Sequence, residues 1–205
     1  MTTQVSRHTR SDGERSRQAI LATAARLAST HGIDRLSIGD LATEVGMSKS
    51  GLYAHFGSKE ELQLATIDAA EDIFNEVVIE PAASAPPGLP SVLALSDAFI
   101  DHLRDKVFPG GCFFACASAE VHAQPGPVKD RIAEFDGRWR GRLERELAAA
   151  KAAGDLPADE DIDEVVFDVD ALLYYAHGAF SFRDDPAVLE AARGAVRRRL
   201  GKRGR

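Results

Sequence analysis

Cysteine is scarce in this chain, with two thiols, Cys112 and Cys116, in 205 residues. That excludes a disulfide-stapled scaffold, and the absence of any CxxC pair or HExxH run removes the common zinc patterns. Six scattered histidines add no metal site, so no metal and no cofactor are expected. Long apolar runs are missing as well. None reaches the ~18 residues that span a bilayer. The opening MTTQVSRHTRSDGERSR is polar and shows no hydrophobic stretch of a secretory signal. These absences point to a soluble, cytoplasmic protein. No segment alternates apolar and polar residues as a strand does, so the fold class is all-α, with about nine helices.

The net charge of −7 looks wrong for a nucleic-acid partner, but its distribution is uneven. Residues 1–60 hold eight basic against six acidic side chains, and residues 61–192 hold ten against 26. From Arg193 onward there are seven basic residues and no acidic one. A slightly positive head on an acidic body would orient the molecule on DNA and limit non-specific binding.

The most informative stretch is SIGDLATEVGMSKSGLYAHFGSKEEL, residues 37–62. Ser37 with Asp40 reads as a capping box, and Ile38, Leu41, Ala42 and Val45 share one helical face. Gly46 reads as a left-handed helix stop. Ser48 caps a second helix of barely two turns, which packs through Leu52 and Phe56. Lys49, Ser50, Gly51, Tyr53 and His55 are left pointing outward. Ser58 with Glu61 starts a long third helix. Upstream, residues 14–31 form an amphipathic helix with Ile20, Ala24, Leu27 and Ala28 on its stripe. Together these make a helix-turn-helix head over residues 14–62.

RQAILATAARLASTHGIDRLSIGDLATEVGMSKSGLYAHFGSKEEL resembles the N-terminal domain of TetR-family transcriptional regulators. Caps, turn glycine, Leu-Tyr-x-His-Phe and Ser-Lys-Glu all fall in register. Gly51 departs from the Thr or Ala often found before the Leu-Tyr pair, which weakens a short helix by ~1 kcal/mol relative to Ala. The resemblance implies that Tyr53, His55 and Lys59 contact phosphates and that Ser37 binds another at its cap. It implies that Ser48, Lys49, Ser50 and Gly51 face base edges or nearby backbone of double-stranded operator DNA. Lys59 also stands at a helix N-terminus, which attracts anions. The segment GGCFFACASAEVH…GPV is similar to the C-terminal domains of one subgroup of that family.

Residues 63–200 then form a helical body for ligand binding and dimerisation. Helices are expected over 62–80, 91–107, 112–123, 128–153, 162–182 and 186–200, with a Pro-rich loop over 81–90. Phe99, His102, Leu103, Phe113, Cys116, Trp139, Tyr174 and His177 supply the bulk and polar tips of a pocket between helices. Plain core packing would use the same side chains. The helix over 162–182 carries more apolar surface than one core stripe needs, so with 186–200 it suits a homodimer seam. Residues 1–13 read as a disordered basic arm (Arg7 and Arg10 with the adjacent Arg15) and 201–205 as a basic tail, with Arg197, Arg198 and Arg199 leading into it as a solvated end.

The function expected is a ligand-responsive DNA-binding repressor, released from a near-palindromic operator by a small apolar or aromatic effector, and not an enzyme. Cys112 and Cys116 stand four apart on one helix face, where a disulfide would strain the ring geometry. They read first as small apolar filler and second as a redox switch. A thiol enzyme and a helical adaptor are weaker alternatives, since neither explains the head.

Overall fold

A computed structural model describes the backbone over residues 3–201 and the side chains over 13–201. Nine helices occur among the described residues: α1 (Thr3–His31), α2 (Ile38–Val45), α3 (Lys49–Phe56), α4 (Lys59–Phe74), α5 (Leu89–Arg104), α6 (Phe113–Val121), α7 (Pro127–Ala152), α8 (Ile162–Arg183) and α9 (Pro186–Leu200). The structure contains no strand among the described residues, as the missing alternation implied.

The head is built by its caps. The Ser37 hydroxyl accepts the Asp40 N–H at 3.1 Å and opens α2. The return half of the expected capping box differs. Asp40 is one methylene shorter than Glu, and its carboxylate accepts the Ser37 hydroxyl at 2.7 Å rather than the backbone N–H. Gly46 closes α2 at φ 67°, a left-handed position that glycine takes at no steric cost. Ser48 accepts the Gly51 N–H at 3.1 Å, and Ser58 accepts that of Glu61 at 3.1 Å. Ile20, Leu21, Ala24, Leu41, Leu52, Phe56 and Leu62 form a separate small core. Arg17 adds a clamp that spacing alone does not reveal. Its guanidinium lies 4.6 Å from the centre of the Phe56 ring and donates to the His55 carbonyl at 2.9 Å.

Several boundaries differ from expectation. The α1 backbone is helical from Thr3, so residues 3–13 are not the irregular arm expected; no proline interrupts them. The side chains of Arg7 and Arg10 lie outside the described residues, as do Lys202, Arg203 and Arg205. The helix expected over 62–80 is not uniform. After Phe74 it widens into one π turn, Asn75–Ile79, then resumes over Glu80–Ala82. Pro81 is tolerated there because it stands in the first turn after the widened stretch. In the same way Pro90 sits in the first turn of α5 and not in a loop. Arg199, expected in a solvated end, pairs with Asp168 at 2.5 Å and Glu160 at 2.8 Å. Arg197 pairs with Asp97 at 2.9 Å. Arg193, mostly buried, bridges Asp97 and Asp101 at 2.6 and 2.7 Å, so α9 is tied to α5 by charge as well as by Leu189, Ala192 and Val196.

The head and body meet at the turn after α1. The Glu120 carboxylate of α6 accepts the N–H groups of Ile33 at 2.7 Å and Asp34 at 2.9 Å. The buried Gln63 amide donates to the Ile33 carbonyl at 2.8 Å. Gly110 packs so tightly on α1 that a Cβ there would stand 1.8 Å from the Ser29 carbonyl oxygen. Ala25, Ala28 and Ile33 accordingly belong to the body core although they precede the helix-turn-helix.

His102 on α5 is buried among Phe74, Phe99 and Phe108, and neither of its ring nitrogens has a hydrogen-bond partner among the described residues. Burial, followed by the nearby His177, pushes its pKa down to about 4. As pH falls below the ordinary 6.5, the unfolded chain takes up this proton and the folded protein does not. Stability is therefore present above that pH and lost through the window down to about 4, by up to about 3 kcal/mol. In His102→Leu, urea melts at pH 7 and pH 4.5 should show that much less acid sensitivity than the parent protein.

Candidate DNA-binding surface and effector cavity

α3 presents the residues expected to face outward. Tyr53 is 48% exposed, and Lys49, Ser50 and His55 are also exposed, while Leu52 and Phe56 turn inward. Ser37 and Ser48 are engaged in capping, and Ser48 also lies 3.2 Å from the Ser50 hydroxyl. Gly51 leaves room for only a tight methyl, since a Cβ there would meet the Ser48 oxygen at 3.1 Å. The Lys59 ammonium is turned back onto Asp34, donating to its carbonyl and standing 3.5 Å from its carboxylate. Lys49, Ser50 and Tyr53 thus lie together on the exposed side of α3, and His55 is exposed on the other side of the Leu52–Phe56 stripe.

In the body, α4 to α8 line a partly open cavity of about 360 Å³. Its wall is mainly aromatic: Phe74, Phe99, Phe114, Phe135, Trp139, Phe167 and Tyr174. Phe74 is its centre, meeting Phe99, Phe114, Phe135 and Trp139 with ring centres 5.1 to 6.3 Å apart, each at a steep angle. Phe114 and Phe135 lie parallel, 7° between their planes. Polar groups are few. Asp170 accepts the Trp139 indole N–H at 2.8 Å, and Ser118, Asp136 and Arg140 complete the polar part.

Of the eight pocket residues expected, Phe99, Trp139 and Tyr174 line this cavity. His102, Leu103, Phe113, Cys116 and His177 do not. Leu103 and Phe113 are fully buried core, and His102 stands behind Phe74 and Phe99. Phe74, Phe114 and Asp170 were missed. Each sits on a helical stripe that reads equally as core, and only the crossing of five helices opens space beside them.

Cys116 and His177 form a separate pair. His177 Nδ1 accepts the Cys112 N–H at 3.2 Å, so in the neutral ring Nε2 carries the proton and faces the Cys116 sulfur at 3.8 Å. That histidine is a donor toward the thiol and cannot act as its base. Burial lowers the His177 pKa, and it raises that of Cys116, with Glu120 adding to the rise. Burial pushes the Cys112 thiol up to about 11. Gly111 is required here. At φ 99° a Cβ would meet His177 and Ser181 at 2.5 Å. Both thiols are thus weak nucleophiles.

A two-turn helix displayed after a tight turn, joined to a helical body, defines a helix-turn-helix DNA-binding regulator. Residues 20–66 match the profile of the bacterial regulatory proteins, tetR family, and residues 88–196 that of the tetracyclin repressor-like, C-terminal domain. The chain belongs to the TetR family of transcriptional regulators. The transcriptional repressor ComR of Escherichia coli is 26% identical over 147 residues, 71% of this chain and 70% of that protein. The regulator AcrR of Shigella flexneri is 32% identical over 89 residues, 43% of this chain and only 41% of that protein. Among solved structures, a TetR regulator from Chloroflexus aurantiacus superposes with a TM-score of 0.83 at 24% identity, over 90% of this chain and 93% of that one. AibR, solved in complex with isovaleryl coenzyme A and operator DNA, gives 0.72 at 22%, over 89% and 96%. Among the described residues no helix is long and apolar enough to cross a membrane.

The thiol chemistry is directly testable. At pH 7 the raised pKa leaves Cys112 about 100-fold less thiolate than an ordinary cysteine, so its alkylation should be slower by at least that factor until denaturant is added. Peroxide should leave DNA affinity unchanged; peroxide-driven release, abolished in Cys116→Ser, would reinstate the redox-sensor reading.

Proposed function

We propose that this regulator is a homodimeric repressor, released from a near-palindromic operator when a small apolar or aromatic effector enters the body. The observation that carries this reading is shared ownership of two helices. Phe74 and Phe114 wall the cavity, and the helices bearing them, α4 and α6, are those that hold the head through Gln63 and Glu120. A molecule wedged between those rings shifts both grips together. The π turn Asn75–Ile79, directly after Phe74, is a spare half-register that α4 can gain or lose as it moves. The effector acts only through its different affinity for the two shapes.

On DNA, α3 of each subunit enters successive major grooves about 34–36 Å apart. Ser48, Lys49, Ser50 and Gly51 meet base edges and adjoining backbone. Tyr53, His55, Lys59 and the Ser37 cap meet phosphates, with Lys59 exchanging Asp34 for a phosphate oxygen. The dimer forms through α8 and α9. Phe167, Tyr174, Tyr175 and Phe182 stand exposed along α8, Phe182 at 89%, a cost in water that a two-fold partner removes.

Selection of bound genomic fragments at moderate salt tests the reading, a single near-palindromic motif being the expected result. Tyr53→Ala should abolish binding to that motif in a gel shift while the dimer stays folded. Lys59→Ala should reduce the slope of log affinity against log salt by about one. Glu120→Ala should bind effector as before yet release DNA less; equal release would remove α6 from the coupling.

A further inference from the structure

Asp170 is a costly residue for the job it visibly does. It stands on α8 in the wall of the aromatic cavity and accepts one hydrogen bond, from Trp139, with no other partner among the described residues. A neutral Asn would hold the indole as well, without the cost of desolvating a charge. Burial raises the Asp170 pKa, and Asp136 and Glu144 raise it further, against the opposing pull of Trp139 and Arg140. Among the described residues the wall carries two carboxylates, Asp136 and Asp170, and one basic group, Arg140. Arg140 is thus outnumbered by the acids it faces. The aromatic faces around it are themselves electronegative. An anion entering this space would meet a wall with two carboxylates to one guanidinium. A cation would find an unshared carboxylate oxygen beside open ring faces.

We propose that the effector is a lipophilic organic cation, a protonated or quaternary amine attached to an aromatic group. Its charge rests against Asp170 and Asp136, and its ring lies among Phe74, Phe114 and Trp139. A cavity of about 360 Å³ admits a ligand of two or three fused rings. Carboxylates and coenzyme A thioesters are selected against by the same charge balance. This inference rests on reading the cavity as the effector site.

The test titrates the purified full-length protein calorimetrically with three probes that share one ring system: naphthylmethyl trimethylammonium, naphthylacetamide and naphthylacetate. The ammonium should bind about ten-fold or more tighter than the amide, and the acetate most weakly. Asp170→Asn keeps the acceptor for Trp139, so it should fold normally, retain the amide affinity and lose the preference for the cation. Equal affinity for all three probes, a tighter acetate, or a cation preference that survives in Asp170→Asn combined with Asp136→Asn overturns the proposal and leaves the cavity as an effector site. Failure of all three to bind, with the fluorescence of Trp139 unmoved, overturns both the proposal and the reading beneath it.

Discussion

Phe74 is buried on the helix whose first turn closes the DNA-binding head, and its ring is met edge-on by Phe114, Phe135 and Trp139, and at a steep angle by Phe99, from three other helices. Edge-to-face aromatic pairs contribute roughly 0.5–1.5 kcal/mol each beyond the area they bury. They are also directional, so the ring holds α4 in one rotation and one axial position. Phe74 both supports the body core and walls the cavity. The π turn Asn75–Ile79 begins at the next residue, where that constraint ends.

The second grip on the head is polar and lies on another helix. Glu120 receives two N–H groups from the turn between α1 and α2, where the chain would otherwise leave them unpaired. Hydrogen bonds to a charged acceptor contribute about 1.5–3 kcal/mol each, enough to matter against a total stability of about 5–15 kcal/mol. Gly110 adds shape, for only its missing Cβ allows the loop before α6 to touch α1. Gln63 on α4 and Glu120 on α6 therefore place the head from two helices.

Charge divides the remaining work. The acidic excess of the body is partly consumed internally, by Arg193, Arg197 and Arg199 against Asp97, Asp101, Asp168 and Glu160. Similar pairs, Arg131 with Asp68 and Arg138 with Glu71 at 2.6 Å, brace α7 against α4 on the surface, where each contributes little alone. The two thiols stand outside this scheme. Cys112 is buried, and Cys116 sits half-buried against a histidine that donates toward it.

The head was legible in the sequence almost residue by residue, because caps and turn glycines act locally. Ser37, Ser48, Ser58 and Gly46 each determine the conformation of their nearest neighbours, and the two-turn helix between them can face only one way once Leu52 and Phe56 are inside. The all-α class and the position of each body helix were equally legible from periodicity. The cavity was not. Phe99 and Trp139 were recognisable only as bulk, while Phe74, Phe114 and Asp170 share a helical stripe with ordinary core residues, and five helices must cross before any of them borders space. Nor could spacing reveal that Glu120 would cap a turn 87 residues away, or that Arg17 would close over Phe56. Local rules specify which face of each helix is apolar; the crossing of those faces, a property of the whole assembly, decides which apolar residues fill the core and which leave a space for a ligand.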